Sequence, residues 1–439
     1  MATPLSLEQT PSKPADYWVG GLIGEGVLGR VVYAKHKATN GEVAIKVVDK
    51  ASVQKQPQLA RSIMMEREML SSWQSDRVVS LYAAFLDDQC LYMVMPCYRG
   101  GDLRHVIDWG LRRKQRRRQR PIQEANINGI IHCDDEEDHH DRDLQTQGRE
   151  RLDRKRYLST IPHYCLELVG ALEFIHSEGV LHADLKPENV LLSQTGRLVL
   201  ADFGAALRLT RKEDRAKQSS LLPVSTPGAV QPTMMMGTID YASPEIVRNT
   251  ASSELTVGVD LWSLGCVLYA MWIGEAPFHA LSDALATEAI VRFVALSESE
   301  QMNWLTKQEA DASNDMRDAD PEGFRPPDQW MDLIGGLLRP IAMDRLGATD
   351  FNDMTENDRT KDAVDTKPFR YSSIRNHPAL TSTSADEFTT VRDVDQDNTE
   401  RSNAGLVFKP PPPDWLLAAN NQTENPLRDG ADGWEVFLL

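Results

Sequence analysis

The chain has 439 residues, of which 41% are hydrophobic and 26% charged, a composition that supplies a buried core and excludes collagen-like, disulfide-scaffold and wholly disordered chains. Its 65 acidic and 48 basic side chains leave a net charge of −17, which excludes nucleic-acid binding through the whole molecule, because neutralising phosphates needs a positive surface. The length allows two or three ordinary domains, or one two-lobed domain with insertions and tails.

Residues 1–16 are rich in Pro, Ser and Thr and read as a disordered tail. From Tyr17 to Tyr98 the pattern is mostly strand-like: YWVGGLIGEG, RVVYAKH, EVAIKVVD, VVSLYAAFL and CLYMVMP, with the Asn40-Gly41 turn signal between two of them. The apolar spacing of LARSIMMEREMLSSW instead suits one helix. Residues 17–98 therefore predict a small antiparallel sheet carrying a helix.

Beyond Gly101 the period changes. TIPHYCLELVGALEFIHSEG, VDLWSLGCVLYAMWIGEAPF and DQWMDLIGGLL read as apolar helices, the first closed by Gly179. Residues 99–378 form a larger, mainly helical half, interrupted from about Leu111 to Tyr157 by an insertion dense in charge of both signs and expected to be mobile. Lys212–Thr233 and Ser297–Arg325 read as long loops, and 379–439 as an acidic C-terminal tail. From Leu281 onward 30 acidic residues face 15 basic ones, so nearly all the excess negative charge lies there.

The cysteines, Cys90, Cys97, Cys133, Cys165 and Cys266, form no C-x-x-C pair and read as reduced thiols of a cytoplasmic or nuclear protein. No basic region followed by an apolar run opens the chain, and no apolar stretch approaches the roughly eighteen residues of a membrane span.

Gly24-Glu25-Gly26-Val27-Leu28-Gly29 fits G-x-G-x-x-G, in which missing side chains let backbone N–H groups approach phosphate oxygens. The β-branched RVVYAKH that follows places this loop between two strands rather than before a helix. An ordinary glycine-rich hairpin is the alternative for the loop in isolation. Lys46, in the strand Val43-Ala44-Ile45-Lys46, would face a nucleotide's phosphates; an inward lysine needs an anionic partner, which Glu66 on the helical segment can supply.

His182-Ala183-Asp184-Leu185-Lys186-Pro187-Glu188-Asn189 follows, and thirteen residues after Asn189 comes Asp202-Phe203-Gly204 between apolar runs. Phosphoryl transfer asks for a carboxylate to orient a hydroxyl, hard oxygen ligands for magnesium, and cations on the transferring group. Here Asp184 is the candidate general base, Asn189 and Asp202 the candidate magnesium ligands, and Lys186 the cation beside the transferred phosphate.

Taken in order, the glycine loop, V-A-I-K, H-x-D-L-K-P-E-N, D-F-G and S-P-E resemble the eukaryotic protein-kinase family from about Tyr17 to Pro378. The lysine two positions after Asp184 resembles the serine/threonine type. GEG, ERE, LYMVM, RLG and the acidic pair in DDQCLYMVMPCYRGGDL are most similar to the AGC group and its phosphoinositide-dependent kinase family. The resemblance implies an α+β bilobal protein-kinase fold, with a small antiparallel sheet lobe, one regulatory helix and a larger helical lobe. It implies ATP and magnesium as cofactors, with the adenine between Val31 and Ala44 above and Leu191 below. Met95 would be the gatekeeper, Pro96, Cys97 and Tyr98 the hinge, and Asp102 an acid near the ribose. Glu245 would pair with Arg345, and Asp260 would hold the catalytic loop from beneath. The partners implied are protein substrates, other kinases among them, in intracellular signalling; the group's lipid-binding C-terminal domain is not apparent in the polar residues after the lobe.

Two departures go together: Ala183 stands where most kinases carry an arginine that pairs with an activation-segment phosphate, and Met234 stands at the usual phosphosite. The segment is therefore expected to be ordered by packing of Met234 to Met236, with Thr233 the neighbouring phosphosite candidate. The basic run Arg112–Arg120 reads as a solvated insertion, or as an import or anionic-surface signal. The His/Asp cluster between Cys133 and Asp143 reads as hydrated rather than metal-binding. Trp434 and Phe437 weakly resemble a tail that related kinases dock on their own small lobe, beside Arg67; apolar tail residues of no consequence are the preferred reading. An acidic large lobe, including Glu188 and Asp102, suits substrates with basic residues near the acceptor. The leading reading is an active serine/threonine kinase. Its rivals are an inactive kinase-like scaffold acting through insertion and tail, and a small-molecule kinase.

Overall fold

In the computed structural model, residues 13–26, 29–55, 57–111, 136–209, 239–248, 250, 255–314, 326–348 and 371–381 are described. Five antiparallel strands come first: β1 (Tyr17–Gly26), β2 (Gly29–His36), β3 (Glu42–Asp49), β4 (Ala83–Leu86) and β5 (Cys90–Pro96), in the order β1-β2-β3-β5-β4. The two-residue period of β3 sorts its side chains by face. Val43, Ile45 and Val47 join Val32, Ala34, Tyr92 and Val94 in one apolar layer, while Val48 packs with Met93, Leu59 and Ile63 on the other. Lys46 shares that second face, the one turned toward the helix.

That helix is α2 (Pro57–Ser72), preceded by the short α1 (Lys50–Lys55). Leu59, Ile63, Glu66, Leu70 and the following Trp73 recur at helical spacing, and all are buried. Glu66 therefore sits within the apolar stripe, on the face that meets the sheet.

The larger half contains α3 (Leu103–Leu111), α4 (Glu136–Ser177), α5 (Pro244–Val247), α6 (Gly258–Ile273), α7 (Asp283–Val294), α8 (Glu298–Asn314), α9 (Asp328–Leu337), α10 (Tyr371–Arg375) and α11 (Pro378–Thr381). Four short strands make two antiparallel pairs: β6 (Val180–Leu181) with β9 (Leu207–Arg208), and, between them in the chain, the hairpin of β7 (Val190–Leu192) with β8 (Leu198–Leu200). Helix α6 is buried on every side, from Gly258 to Trp272, as an all-round apolar helix must be, and packs against α4 and α9. Gly274 ends it in the left-handed region at φ 102°, the conformation a C-terminal glycine adopts without penalty. One continuous core runs from Met69, Leu70, Trp73 and Met95 into the helical half. The α+β, two-lobed arrangement is the one anticipated.

Three expectations change. Of VVSLYAAFL only Ala83–Leu86 pairs in the sheet; Val78 bridges Leu200, and the Val79 N–H donates to the Leu200 carbonyl at 2.8 Å. The first part of that stretch thus serves the second half of the molecule. The charged insertion is helical from Glu136, because Glu, Gln, Arg and Leu are good helix formers with no proline before Pro162. Ser297–Arg325, read as a loop, contains α8, held by buried Gln301 and Leu305. Lys212–Thr233, Met234–Met236, Arg112–Arg120, Cys133, Trp434 and Phe437 lie outside the described residues.

Candidate active site

Lys46 reaches from β3 to both oxygens of Glu66, at 2.9 and 2.8 Å, and to Oδ1 of Asp202 at 3.0 Å. Burial alone opposes a charge on Lys46, but Asp202 and Glu66 outweigh it and hold its pKa above the ordinary value. Burial pushes Glu66 upward and Lys46 pulls it back only in part, so its pKa stays above the ordinary value; the two-pronged contact is that of an ionised carboxylate. Asp202 differs from its partners in opening onto the cleft, with 48% of its side chain exposed. The charge of Lys46 lowers its pKa to about 2, so it is anionic at any working pH.

The β7–β8 register brings the second group of residues together. Val190 pairs with Leu200, so the next rung sets Asn189 opposite Ala201, whose N–H donates to the Asn189 carbonyl at 2.9 Å. Residues far apart in sequence thus flank the mouth of one hairpin, Asn189 entering and Asp202 leaving. Asn189 Nδ2 donates to the Asp184 carbonyl at 2.8 Å and to its Oδ2 at 3.0 Å, and Lys186 Nζ donates to the same Oδ2 at 2.8 Å. Asp184 is thereby held in one orientation with both neighbours on one oxygen.

Two residues of the site adopt left-handed backbone without being glycine, Ala183 at φ 62° and Asp202 at φ 59°. Such conformations cost about 1 kcal/mol or more and persist only when the surroundings fix them. Asp260, fully buried on α6, supplies the clamp: its carboxylate accepts the His182 N–H and the Ala183 N–H at 2.8 Å each, and His176 Nε2 lies 2.7 Å from Oδ2. His176 also contacts the Tyr371 hydroxyl. Burial opposes the Asp260 charge, yet the bond from His176, the nearby His176 and His182 rings and the Ala183 N–H leave its pKa lowered. Arg345 meets Glu245 in a two-pronged pair at 2.5 and 2.9 Å and lies over the Trp262 ring at 5.0 Å. Both supporting roles expected for Asp260 and Glu245–Arg345 are present in the geometry.

Around the glycine loop, Gly24 pairs with Val31 and Gly26 with Gly29, Val31 pairs with Lys46, and Ala44 with Met95. Gly29 is required: at φ 135° a side chain is strained, and a Cβ would stand 2.3 Å from the Val47 carbonyl oxygen. Met95 is buried in the shared core. Asp102 bridges Leu191, but its Oδ1 accepts the His105 N–H at 2.7 Å, capping α3. Cys97, in the segment read as the hinge, has its thiol pushed up to about 12 by burial, which makes it inert as a nucleophile. Next to it Arg99 Nε donates to Glu42 Oε2 at 2.5 Å, and the Tyr33 hydroxyl donates to Glu42 Oε1 at 2.8 Å, tying that segment to β2 and β3.

Sequence reasoning missed four participants: His176, the Glu42–Arg99 pair, the Glu68–Arg208 pair at 2.9 Å, and Arg104. Only Arg104 left a local signal, its spacing from Asp108 one turn along the helix.

A paired lysine and glutamate behind a glycine loop, with a carboxylate, an asparagine and a second carboxylate around one hairpin, is the arrangement of a phosphotransferase cleft. The family model described as "Protein kinase domain" matches residues 17–355, and the chain belongs to the protein kinase family. It is 31% identical over 276 residues to 3-phosphoinositide-dependent protein kinase 1 of Arabidopsis thaliana, covering 63% of this chain and 45% of the relative. The human protein of the same name is 28% identical over 280 residues, covering 64% and 39%. Rho-associated protein kinase 1 of Oryctolagus cuniculus is 30% identical over 270 residues, covering 61% and 15%. In each case the match spans less than half of the relative's length.

Proposed function

We propose that the chain is a serine/threonine protein kinase that transfers the γ-phosphate of magnesium-bound ATP to a protein hydroxyl, with a small lobe at 17–98, a large lobe at 99–378 and an acidic tail beyond. The observation that carries this reading is the single orientation of Asp184, fixed by Lys186 and Asn189 beside the Lys46–Glu66–Asp202 cluster. In this reading Asp184 accepts the hydroxyl proton, Lys186 steadies charge on the transferred group, and Lys46, positioned by Glu66, grips the nucleotide phosphates. Gly24, Gly26 and Gly29 present backbone N–H groups to them, and Val31, Ala44, Met95, Cys97 and Leu191 surround the adenine. The serine/threonine assignment rests on Lys186 and on the similarity to the kinases named above.

The donor set fits magnesium. Asp202 offers an exposed, permanently ionised carboxylate, and Asn189 spends its amide N–H on Asp184, leaving Oδ1 for a hard cation. Among the described residues no group of three or more His, Cys, Asp or Glu could hold a metal by itself, in keeping with an ion that completes its shell with nucleotide phosphates. When bound, magnesium supplies charge stabilisation to the transferring phosphoryl group. No helix among the described residues is long and apolar enough to cross a membrane.

The test is phosphate transfer from magnesium ATP to arrayed serine, threonine and tyrosine peptides by the full chain and by Asp184→Ala. A loss of about 10²–10⁴-fold in kcat is expected, with product on serine or threonine. Equal transfer by both proteins would remove Asp184 from the chemistry, and transfer by neither would leave the scaffold reading in its place.

A further inference from the structure

The acidic groups beside Asp184 already hold a cation of their own. Arg104 stands in the first turn of α3, its Nε donating to Asp108 Oδ1 at 3.0 Å and its Nη2 to the Gly274 carbonyl at 2.7 Å. Nη2 also contacts the Asp108 carboxylate. The carbonyl belongs to the left-handed residue that ends α6, so it is fixed by a rigid element, and only 20% of the Arg104 side chain is exposed. Helix α3 packs against the turn Pro187–Asn189, which carries Glu188 four residues beyond Asp184. The charge of Arg104 acts on Asp102, on Glu188, on Glu275 just after Gly274, and on the Tyr241 hydroxyl. Glu188, Glu275 and Asp108 are exposed. Lys186, the other cation near Glu188, is committed to Asp184.

Glu188 lies on the same turn as the residues that hold Asp184, so a peptide that brings its hydroxyl to Asp184 would come within the field of these acids. Counted without Arg104, Asp102, Asp108, Glu188 and Glu275 would attract an arginine or lysine of the peptide. With Arg104 anchored among them at two points, an incoming cation meets a like charge and finds Asp108 already engaged.

We propose that Arg104 is a specificity-determining residue: its guanidinium occupies from within the chain the acidic cluster that would otherwise select a basic peptide side chain, so basic residues beside the acceptor confer little advantage. This rests on the protein-kinase reading above and reverses the substrate bias expected from the acidic residues alone.

The experiment uses the full chain and serine peptides in an alanine background, with arginine placed at each flanking position in turn. For the wild type, kcat/KM with any arginine peptide should stay within about threefold of the all-alanine peptide, whereas Arg104→Leu should gain about tenfold or more at one or more positions, the worth of a charge-assisted hydrogen bond. Arg104→Lys, which keeps the cation, should retain the wild-type profile, and adding Glu188→Gln to Arg104→Leu should reduce the gain. A purely structural arginine would lower stability in these variants without moving the profile. If Arg104→Leu does not fold, Arg104→Gln removes the charge while keeping a donor for Gly274 and carries the comparison. A profile unchanged by loss of the charge, or a wild type that already selects arginine tenfold, overturns the proposal and leaves the kinase reading standing. Transfer to no peptide by any form defeats the kinase reading, and this proposal with it.

Discussion

Replacing Lys46 by methionine removes a buried cation without leaving a large void, and the structure sets what must follow. Glu66 is 1% exposed and loses the partner that contacts both its oxygens. Breaking a buried ion pair from one side costs about 3–5 kcal/mol. The loss should depend on pH. Burial is the largest influence on Glu66 and raises its pKa, while Lys46 is the chief influence lowering it; without the lysine the carboxyl takes up a proton. A group whose folded pKa lies above its unfolded value stabilises fully below the unfolded value, and that contribution disappears as pH rises through the folded one. The variant should therefore be least stable at about pH 8 and should recover toward about pH 5, by about 1.4 kcal/mol for each unit of folded-state shift crossed.

The wild type is the reference: burial leaves the Glu66 pKa raised even with Lys46 in place, so some of the same decline with pH is present there, but Lys46 restrains the shift and the wild-type slope should be the shallower of the two. The pKa of Lys46 is raised, so its contribution is complete below about 10.4 and falls only at higher pH. That of Asp202 is lowered to about 2, so its contribution is complete above the ordinary carboxylate range and is lost only in acid. Urea unfolding of both proteins without nucleotide, at about pH 5 and about pH 8, measures the difference. Lys46→Met/Glu66→Gln, which no longer carries the stranded Glu66 carboxylate, should lose the pH dependence that Lys46→Met adds. A deficit in Lys46→Met below about 1 kcal/mol at the higher pH, or one equal at both, would refute the account of the pair as a buried charge balanced by its neighbour.

Asp260→Ala should lower stability by about 3–5 kcal/mol, because the His182 and Ala183 N–H groups and His176 all lose their acceptor; thermal melts check this, and transfer should fall with it as the strained Ala183 turn is released. Phosphatase treatment should leave transfer nearly unchanged, since Ala183 offers no cation to a phosphate and Arg208 of β9 is already paired with Glu68 of α2; a large loss of activity would place a phosphate on the segment after all, with Thr233 the first position to map by mass spectrometry.

Much of the site could be read before the fold because its residues obey local periods. The alternation of Val43-Ala44-Ile45-Lys46 puts Lys46 on the face opposite Ile45, and the spacing of Leu59, Ile63 and Leu70 puts Glu66 on the buried stripe, so their meeting follows once strand and helix pack. A separation of thirteen positions from Asn189 to Asp202 suffices for one hairpin to bring them together. What stayed hidden depends on distant chain. Helix α8 shows a thin apolar stripe, and it forms because Gln301 Nε2 donates to the Phe293 and Leu296 carbonyls while the Tyr269 hydroxyl donates to the Leu305 carbonyl. Val78 looks like sheet by composition, yet its partner is Leu200. Arg104 spends a donor on Gly274, 170 residues away, which no local pattern announces.

Charge counting by sequence therefore fails in one specific way in this cleft. Asp102, Glu188 and Asp202 look equivalent as carboxylates, but the fold gives each a different commitment. Asp102 closes a helix N-terminus and Glu188 lies in the field of Arg104, whereas Asp202 rests on Lys46 with half its surface open. Only the last combines a guaranteed negative charge with room for a ligand. A divalent cation and its nucleotide would be drawn to Asp202 and Lys46, and the neighbouring acids would act on the peptide only as far as Arg104 permits. The selectivity of such an enzyme is set by which carboxylates the fold leaves unspent, and here one half-buried arginine, Arg104, is proposed to decide that for the acceptor side.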